Sequence, residues 1–458
     1  MMRKVKWLFD GTRPIELILI LEMVLASDGD FNGDHVLSFQ GTCEKSPVAN
    51  DGFIHSVVAT ELQANATYLY RVGDKELNAW SNVGRCQTET EGAVTNFVHI
   101  SDPQVYEEVD IKGYRETLQI IEQQNPQFIC LTGDIVNNSW EGYTPVLEQW
   151  EWAITEQEVT SNYPIMAVAG NHEAASYDFT SRYHLPYANS QDLSKGGYYS
   201  FDYHDMHFVA LNTNDSSADS QNLRGLSTDQ IEWLKKDLKE SQDARWRVVM
   251  MHKGIFDAGG HCSNVEGTDG DIAYIREQVA PLFNQYKVDL VLQGHDHLYS
   301  RSYPIQSSEK NGAFYPLTQD ETKIEVEKSG NQYSVYQDPS GPIYVNTGSA
   351  SSSKYYGVVN YDKEMIPIEI AYSATSKMFT SYRVDQDGLY ADVYEIINGE
   401  AVLHDTFGIQ KNASNGNKTF PPHLFTTIGI IGGVLLGIGL IILLFILFRK
   451  KKGAMLHG

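Results

Sequence analysis

The sequence predicts a small β-sandwich followed by a larger α/β domain, with a membrane-crossing helix at the far end. Three observations carry this. Between about residues 34 and 90, short β-rich runs are broken by turn residues: His55-Ser-Val-Val-Ala-Thr, then Gln-Ala-Asn-Ala, then Thr67-Tyr-Leu-Tyr-Arg-Val. From about Val94 the rhythm changes to strand, helix, strand, which implies a substantial sheet covered by helices. Leu424 to Phe448 then runs 25 residues without a charge. At about 1.5 Å per residue that spans a bilayer core of about 30 Å.

The elements follow in chain order. Met1 to Lys6 is basic and Ile15 to Ala26 is apolar, but Glu16 and Glu22 interrupt it. An export signal needs an unbroken apolar stretch, so residues 1–27 are expected to be a poor or truncated signal. Residues 28–92 form the sandwich and residues 93–411 the α/β domain. Within the latter, strands are expected at Asn96–Ile100, Phe128–Leu131, Pro164–Val168, Arg247–Met251 and Asp289–Leu292. A helix over Tyr114–Gln124 stops before Pro126. Another opens at Ser227-Thr-Asp-Gln with a capping signature and runs through Leu238. Residues 305–338 are polar and read as an irregular surface insertion. Met378–Phe407 reads as hairpins turned by Asp-Gly and Asn-Gly. Residues 412–423 are a linker, 424–448 the transmembrane helix and 449–458 a basic tail. Arg449, Lys450, Lys451 and Lys452 place that tail in the cytoplasm. The expected location is therefore the cell membrane, single-pass, with the folded domains extracellular.

The formal net charge is −24. A surface that acidic argues against a nucleic-acid scaffold, which needs a basic footprint. It does not argue against phosphate substrates, because a bound metal reverses the local field. The four cysteines form no CxxC pair, which excludes zinc-ribbon and thioredoxin-type motifs. Cys130, in Phe-Ile-Cys-Leu, reads as core. Cys43 and Cys86 flank the N-terminal module, and pairing or two thiols are both open.

Five short motifs end predicted strands: Ser101-Asp102-Pro103-Gln104, Gly133-Asp134, Gly170-Asn171-His172-Glu173, Met251-His252 and Gly294-His295-Asp296-His297. Each follows an apolar run and meets glycine or a turn. In open α/β sheets that edge is where ligands bind. A lone Gly-Asp is usually a turn, but five oxygen or imidazole ligands in this order point to a metal site.

This set resembles that of the calcineurin-like metallophosphoesterases. The phrase Tyr68-Leu-Tyr-Arg-Val-Gly-Asp and the N-terminal sandwich look like the purple acid phosphatase branch. The resemblance covers roughly residues 34 to 410. It implies a fibronectin III-like sandwich ahead of a four-layer αββα sandwich. It also implies two metal ions, from iron, zinc or manganese, which suit carboxylate, amide and imidazole donors. Asp102, Asp134 and His297 would hold the first ion. Asp134, Asn171, His252 and His295 would hold the second, with Asp134 bridging. The implied activity is phosphate-ester hydrolysis of the acid phosphatase kind, by a metal-bridging hydroxide. His172 would be the proton donor. His261 carries over as a phosphate contact, while the neighbouring position, a histidine in the branch, is Cys262.

Two positions depart from the branch. Asn137 stands where the purple enzymes have a tyrosine ligand, and Gln104 stands at the first motif where glycine or histidine is usual. Either residue is a candidate oxygen ligand, and the phenolate behind the purple colour is missing. The expected partners are a small phosphate-ester substrate and, through the C-terminal helix, the membrane. The alternatives are a phosphodiesterase or nucleotidase acting on nucleotides or lipid headgroups, and a catalytically silent surface binding protein on the same fold.

Overall fold

The computed structural model describes residues 3–8, 19–45, 53–89, 94–137, 148–155, 157–173, 179, 183, 185, 196–215, 225–263, 270–310, 313–352 and 354–412. Residues 412 and earlier form one compact unit. The expected transmembrane helix 424–448 and the basic tail lie outside the described residues, as does most of the linker. Among the described residues no helix is long and apolar enough to cross a membrane.

The N-terminal domain is built from strands β1 (Arg3–Leu8), β2 (Ile20–Leu25), β3 (Leu37–Gln40), β4 (Thr42–Lys45), β5 (Phe53–Ala59), β6 (Thr67–Asp74), β7 (Ala79–Trp80) and β8 (Gly84–Gln87). One sheet has the order β3-β2-β6-β7 with β8 also on β6, and the other β1-β5-β4. Leu21, Met23, Val57, Tyr68, Tyr70 and Val72 share its core. Residues 1–27 were expected to precede the fold as a signal segment, and β2 corrects this. Period two explains the charge that disqualified the stretch. Leu21 and Met23 face the core, while buried Glu22 faces the other way and pairs with Arg71 at 2.6 Å. Cys43 lies on β4 and Cys86, buried, on β8.

The second domain continues with β9 (Thr95–Ile100), α1 (Glu108–Gln123), β10 (Phe128–Leu131), β11 (Ile165–Ala167), β12 (Tyr199–Tyr203), β13 (Met206–Ala210), α2 (Thr228–Glu240), β14 (Trp246–Lys253), α3 (Gly260–Ser263), α4 (Gly270–Gln285) and β15 (Leu290–Gly294). There follow β16 (Tyr299–Ser302), β17 (Gln306–Lys310), β18 (Ala313–Leu317), β19 (Lys323–Lys328), β20 (Asn331–Gln337), β21 (Ile343–Thr347), β22 (Ile368–Tyr372), β23 (Met378–Val384), β24 (Leu389–Ile397) and β25 (Glu400–Gln410). Among the described residues two large sheets form, ordered β11-β10-β9-β23-β24-β25-β20-β19 and β12-β13-β14-β15-β21-β16-β22, with β17 and β18 paired apart from them.

Three cores make four layers. Phe97, Phe128 and Cys130 of the first sheet meet Phe208, Trp246 and Met250 of the second between the sheets. Phe97 stacks on Phe128 at 5.5 Å and meets Phe208 edge-on at 5.3 Å, pairs each worth about 0.5–1.5 kcal/mol beyond their area. On the outer face of the first sheet, Val98, Ile100 and Ile129 bury Tyr114, Leu118 and Ile121 of α1. On the second, Val209, Val249 and Val291 bury Leu234 and Leu238 of α2 with Ile275 and Val279 of α4. The αββα order is what strands apolar on both faces require.

Two readings are corrected here. The first helix starts at Glu108, ahead of Tyr114, because Asp110 reaches back to accept the Glu107 N–H at 3.0 Å and caps a turn with little apolar signal. Within residues 305–338, β17 pairs antiparallel with β18 and β19 with β20, and β20 joins the first sheet beside β25. Tyr333, Val335 and Tyr336 are buried there, within a sequence polar enough to read as loop.

Candidate metal centre

Strands β9, β10 and β11 run parallel, as do β13, β14, β15 and β21, and each set of C-terminal ends carries a motif. Two backbone ties hold the two edges against each other. The Thr132 carbonyl accepts from His252 Nδ1 at 2.7 Å, and Asp102 Oδ2 accepts from the His295 N–H at 3.0 Å. Asp102, Gln104, Asp134 and His295 all have positive φ, between 40° and 77°, a conformation that non-glycine residues keep only where the surroundings force it. Gly170 is required by close approach, since a Cβ there would lie 2.0 Å from Asp134 Oδ1.

Asp134 is the hub, buried and surrounded by donors. Its Oδ1 accepts the His172 N–H at 2.9 Å and its Oδ2 accepts from Gln104 Nε2 at 3.0 Å. His252 Nε2 lies 3.3 Å from that same Oδ2 and 2.9 Å from Asn171 Oδ1. One donor atom each from Asp134, His252 and His295 falls within 4.8 Å of the others. His297 Nε2 lies 3.4 Å from Asp102 Oδ1. All six expected ligands therefore converge, and Gln104 joins them.

The residues fit metal ions on chemical grounds. His252 gives its Nδ1 to a carbonyl, and so does His297, to that of Lys354 at 3.1 Å. Nε2 of each ring then faces carboxylate or amide oxygens, an arrangement that calls for a cation between them, whether a proton or a metal ion. Asp102 Oδ1 and Gln104 Oε1 are buried with no hydrogen-bond partner, which natural structures seldom leave unexplained. The electrostatics agree. Burial alone would lower His252, yet Asp134 raises it to about 9. Burial alone would raise Asp134, yet His252 holds it far below the usual carboxylate range. The pocket thus draws positive charge, which a proton or a metal can supply.

The other candidates sort by contact. The carbonyl of Asn137 accepts from His172 Nδ1, and its Oδ1 accepts from Lys354 Nζ at 2.5 Å. Both oxygens are engaged by protein donors, and through its carbonyl Asn137 supports His172. His172 Nε2 stands 3.7 Å from Asp134 Oδ2, in reach of a group bound there. The His261 ring lies 4.3 Å from that of His295 and 5.9 Å from Tyr356, so it does border the site. Cys262 is buried, and its thiol accepts from the Asp257 N–H at 3.2 Å.

Three residues escaped the sequence reading. Glu173 accepts from the N–H groups of Asp134, Ile135, Val136 and Gly170 at 2.7–3.0 Å and so clamps the Asp134 loop. Burial and Asp134 push its carboxyl up to about 8, against the amides that favour its charged form. It stood in a motif already noted, beside a more conspicuous histidine. Tyr356 stacks on His297 at 4.3 Å. Lys354 reaches the site from the loop after β21. Their only signal was the apolar run Ile343–Thr347 ending at Gly348, the same strand-then-glycine pattern as the other motifs.

The fold and the convergent residues suit a metal site, and comparison with known proteins finds matches over both domains. Residues 95–299 match the calcineurin-like phosphoesterase family and residues 26–88 the purple acid phosphatase N-terminal domain. The chain thus carries a calcineurin-like phosphoesterase domain joined to a purple acid phosphatase N-terminal domain, and its relatives include purple acid phosphatases. Purple acid phosphatase 15 of Arabidopsis thaliana is 25% identical over 68% of this chain and 56% of that protein. Acid phosphatase type 7 of Mus musculus is 27% identical over 65% of this chain and 64% of that protein. The chain therefore spans less than two thirds of these relatives. The solved purple acid phosphatase PPD1 from yellow lupin seeds shares the fold, with a TM-score of 0.64 at 18% identity, covering 92% of this chain and 75% of that one.

Proposed function

We propose that this chain is a metal-dependent phosphate-ester hydrolase. The observation that carries it is the convergence of Asp134, His252 and His295 beside the unpartnered oxygens of Asp102 and Gln104. Asp102, Gln104, Asp134 and His297 would hold one ion, and Asp134, Asn171, His252 and His295 the other. Bound ions would supply an activated water and positive charge for the phosphoryl oxygens. The protein's own groups do the rest. Asp134 is placed by Gln104 and the His172 N–H, and Glu173 holds its loop. His172, with Nδ1–H fixed on the Asn137 carbonyl, would turn Nε2 toward a leaving oxygen as the proton donor. His261 borders the same space. We further propose that Leu424–Phe448 anchors the chain with the catalytic domain outside; the uncharged span and the basic run after it support this.

The test is elemental analysis of the purified protein with a panel of phosphate monoesters and diesters. About two ions per chain are expected, with hydrolysis that a chelator abolishes and re-added metal restores. A fully metal-loaded protein that turns over none of the esters would leave the binding-protein reading in its place.

A further inference from the structure

We propose that Lys354 grips a non-bridging oxygen of the phosphoryl group, and so tunes the site toward the dianion of a monoester. This rests on the phosphoesterase reading above. The position of Lys354 is fixed at both ends. Its carbonyl accepts from His297 Nδ1 at 3.1 Å, and its ammonium donates to Asn137 Oδ1 at 2.5 Å. The Asn137 carbonyl in turn holds His172. The ammonium thus stands on the rim that carries the proton donor.

Its partner is what sets it apart. The other well-covered lysines each meet a carboxylate: Lys253 meets Asp271 at 2.6 Å, Lys328 meets Asp385 at 2.7 Å, Lys377 meets Glu116 at 3.0 Å and Lys411 meets Asp289 at 2.6 Å. Lys354 is half-buried, yet among the described residues it forms no ion pair, only the bond to a neutral amide. Burying an ammonium is costly, and here Asp134, Asp110 and Asp102 act on it only from beyond ion-pair contact, so the position is suited to an anion that arrives from outside. An ammonium has three N–H donors. The bond to Asn137 therefore leaves donors for a phosphoryl oxygen. A monoester dianion offers one more unesterified oxygen and one more charge than a diester, so the contact favours the monoester.

The experiment uses the full chain, metal-loaded, as wild type, Lys354→Met and Lys354→Arg. It measures inhibition by inorganic phosphate, kcat and KM for an aryl monoester and the matching diester, and metals per chain. Losing a charge-assisted contact should weaken phosphate inhibition about 10- to 100-fold. The monoester-to-diester ratio of kcat/KM should fall by about 10-fold or more, Lys354→Arg should recover part of it, and metal content should match wild type. Unchanged phosphate inhibition overturns the proposal. So does an equal loss on both esters, or loss of metal, since either makes Lys354 a support for His297. One arm needs no variant. Inorganic phosphate should protect Lys354 of the wild type from an amine-acylating reagent, read by peptide mass spectrometry, and absence of protection overturns the proposal. A metal-loaded wild type inactive on both esters defeats the hydrolase reading instead, while the protection arm still reports on Lys354.

Discussion

Asp134 and His172 adjoin each other in the site but do different work, and substitution separates them. Asp134 contacts Gln104, His172 and His252, and Glu173 holds its backbone. Asp134→Asn removes the charge that both proposed ions share, so both should bind poorly and activity should fall to background. His172 gives its Nδ1 to a carbonyl and approaches Asp134 only at 3.7 Å. His172→Ala should keep the metals and lower the rate on the order of 10²–10⁴-fold, the usual worth of a positioned acid. The loss should be smaller for an ester of an acidic phenol, which needs little protonation, than for an alkyl phosphate. Equal losses on both esters, or loss of metal, would make His172 a structural support.

At the scale of elements, the domain depends on strands and helices docking tightly enough to present their ends together. One joint is readable as a pH effect. His207 on β13 bonds Asp202 on β12 at 2.7 Å and Asp237 on α2 at 2.9 Å, tying the sheet edge to the helix. Burial alone would lower its pKa, but these carboxylates raise it from 6.5 to about 9. A raised folded-state value contributes stability that is full below the unfolded value and is lost as pH rises through the folded one. Wild type should therefore lead His207→Gln by the most near pH 6. The lead should shrink by on the order of 1–3 kcal/mol by about pH 10. Urea unfolding of both proteins at the two pH values measures it, and a lead that grows with pH would refute the assignment.

For the whole molecule, the sandwich docks away from the chemistry. Tyr70 Oη donates to the Ser161 carbonyl at 2.6 Å, and the Arg85 N–H donates to Asn162 Oδ1 at 3.2 Å. Those partners precede β11, whose other end leads to Asn171. Among the described residues, none before Thr95 contributes to the site. The sandwich is thus a support, and all the candidate chemistry lies in the second domain. Because residues up to 412 form one compact unit, truncation after Asn412 should yield a soluble protein with the activity of the full chain. The full chain should sediment with membranes, with its catalytic domain open to external protease. Full-length protein that stays in the soluble fraction would sink the proposed anchor.

The sequence alone determined the two-domain order and the main strands of the second domain, and it marked the polar strand-end motifs that the fold brings together. Short polar motifs at the ends of apolar runs survive as local patterns, and a parallel sheet must carry such ends on one edge. Other features were decided by partners distant in sequence. Glu22 read in sequence only as a charge that spoils a signal segment, whereas Arg71, 49 residues on, pairs with it on one face of a strand. The hairpins of residues 305–338 looked like loop because their burial comes from sheet neighbours, with β20 pairing to β25 far along the chain. Lys354 carries no local mark of function. It became a candidate when the fold set it against Asn137, 217 residues away, with no carboxylate in ion-pair contact among the described residues. Local pattern records what a residue's neighbours in sequence require, whereas charge balance and burial are properties of space, which only the tertiary structure assigns.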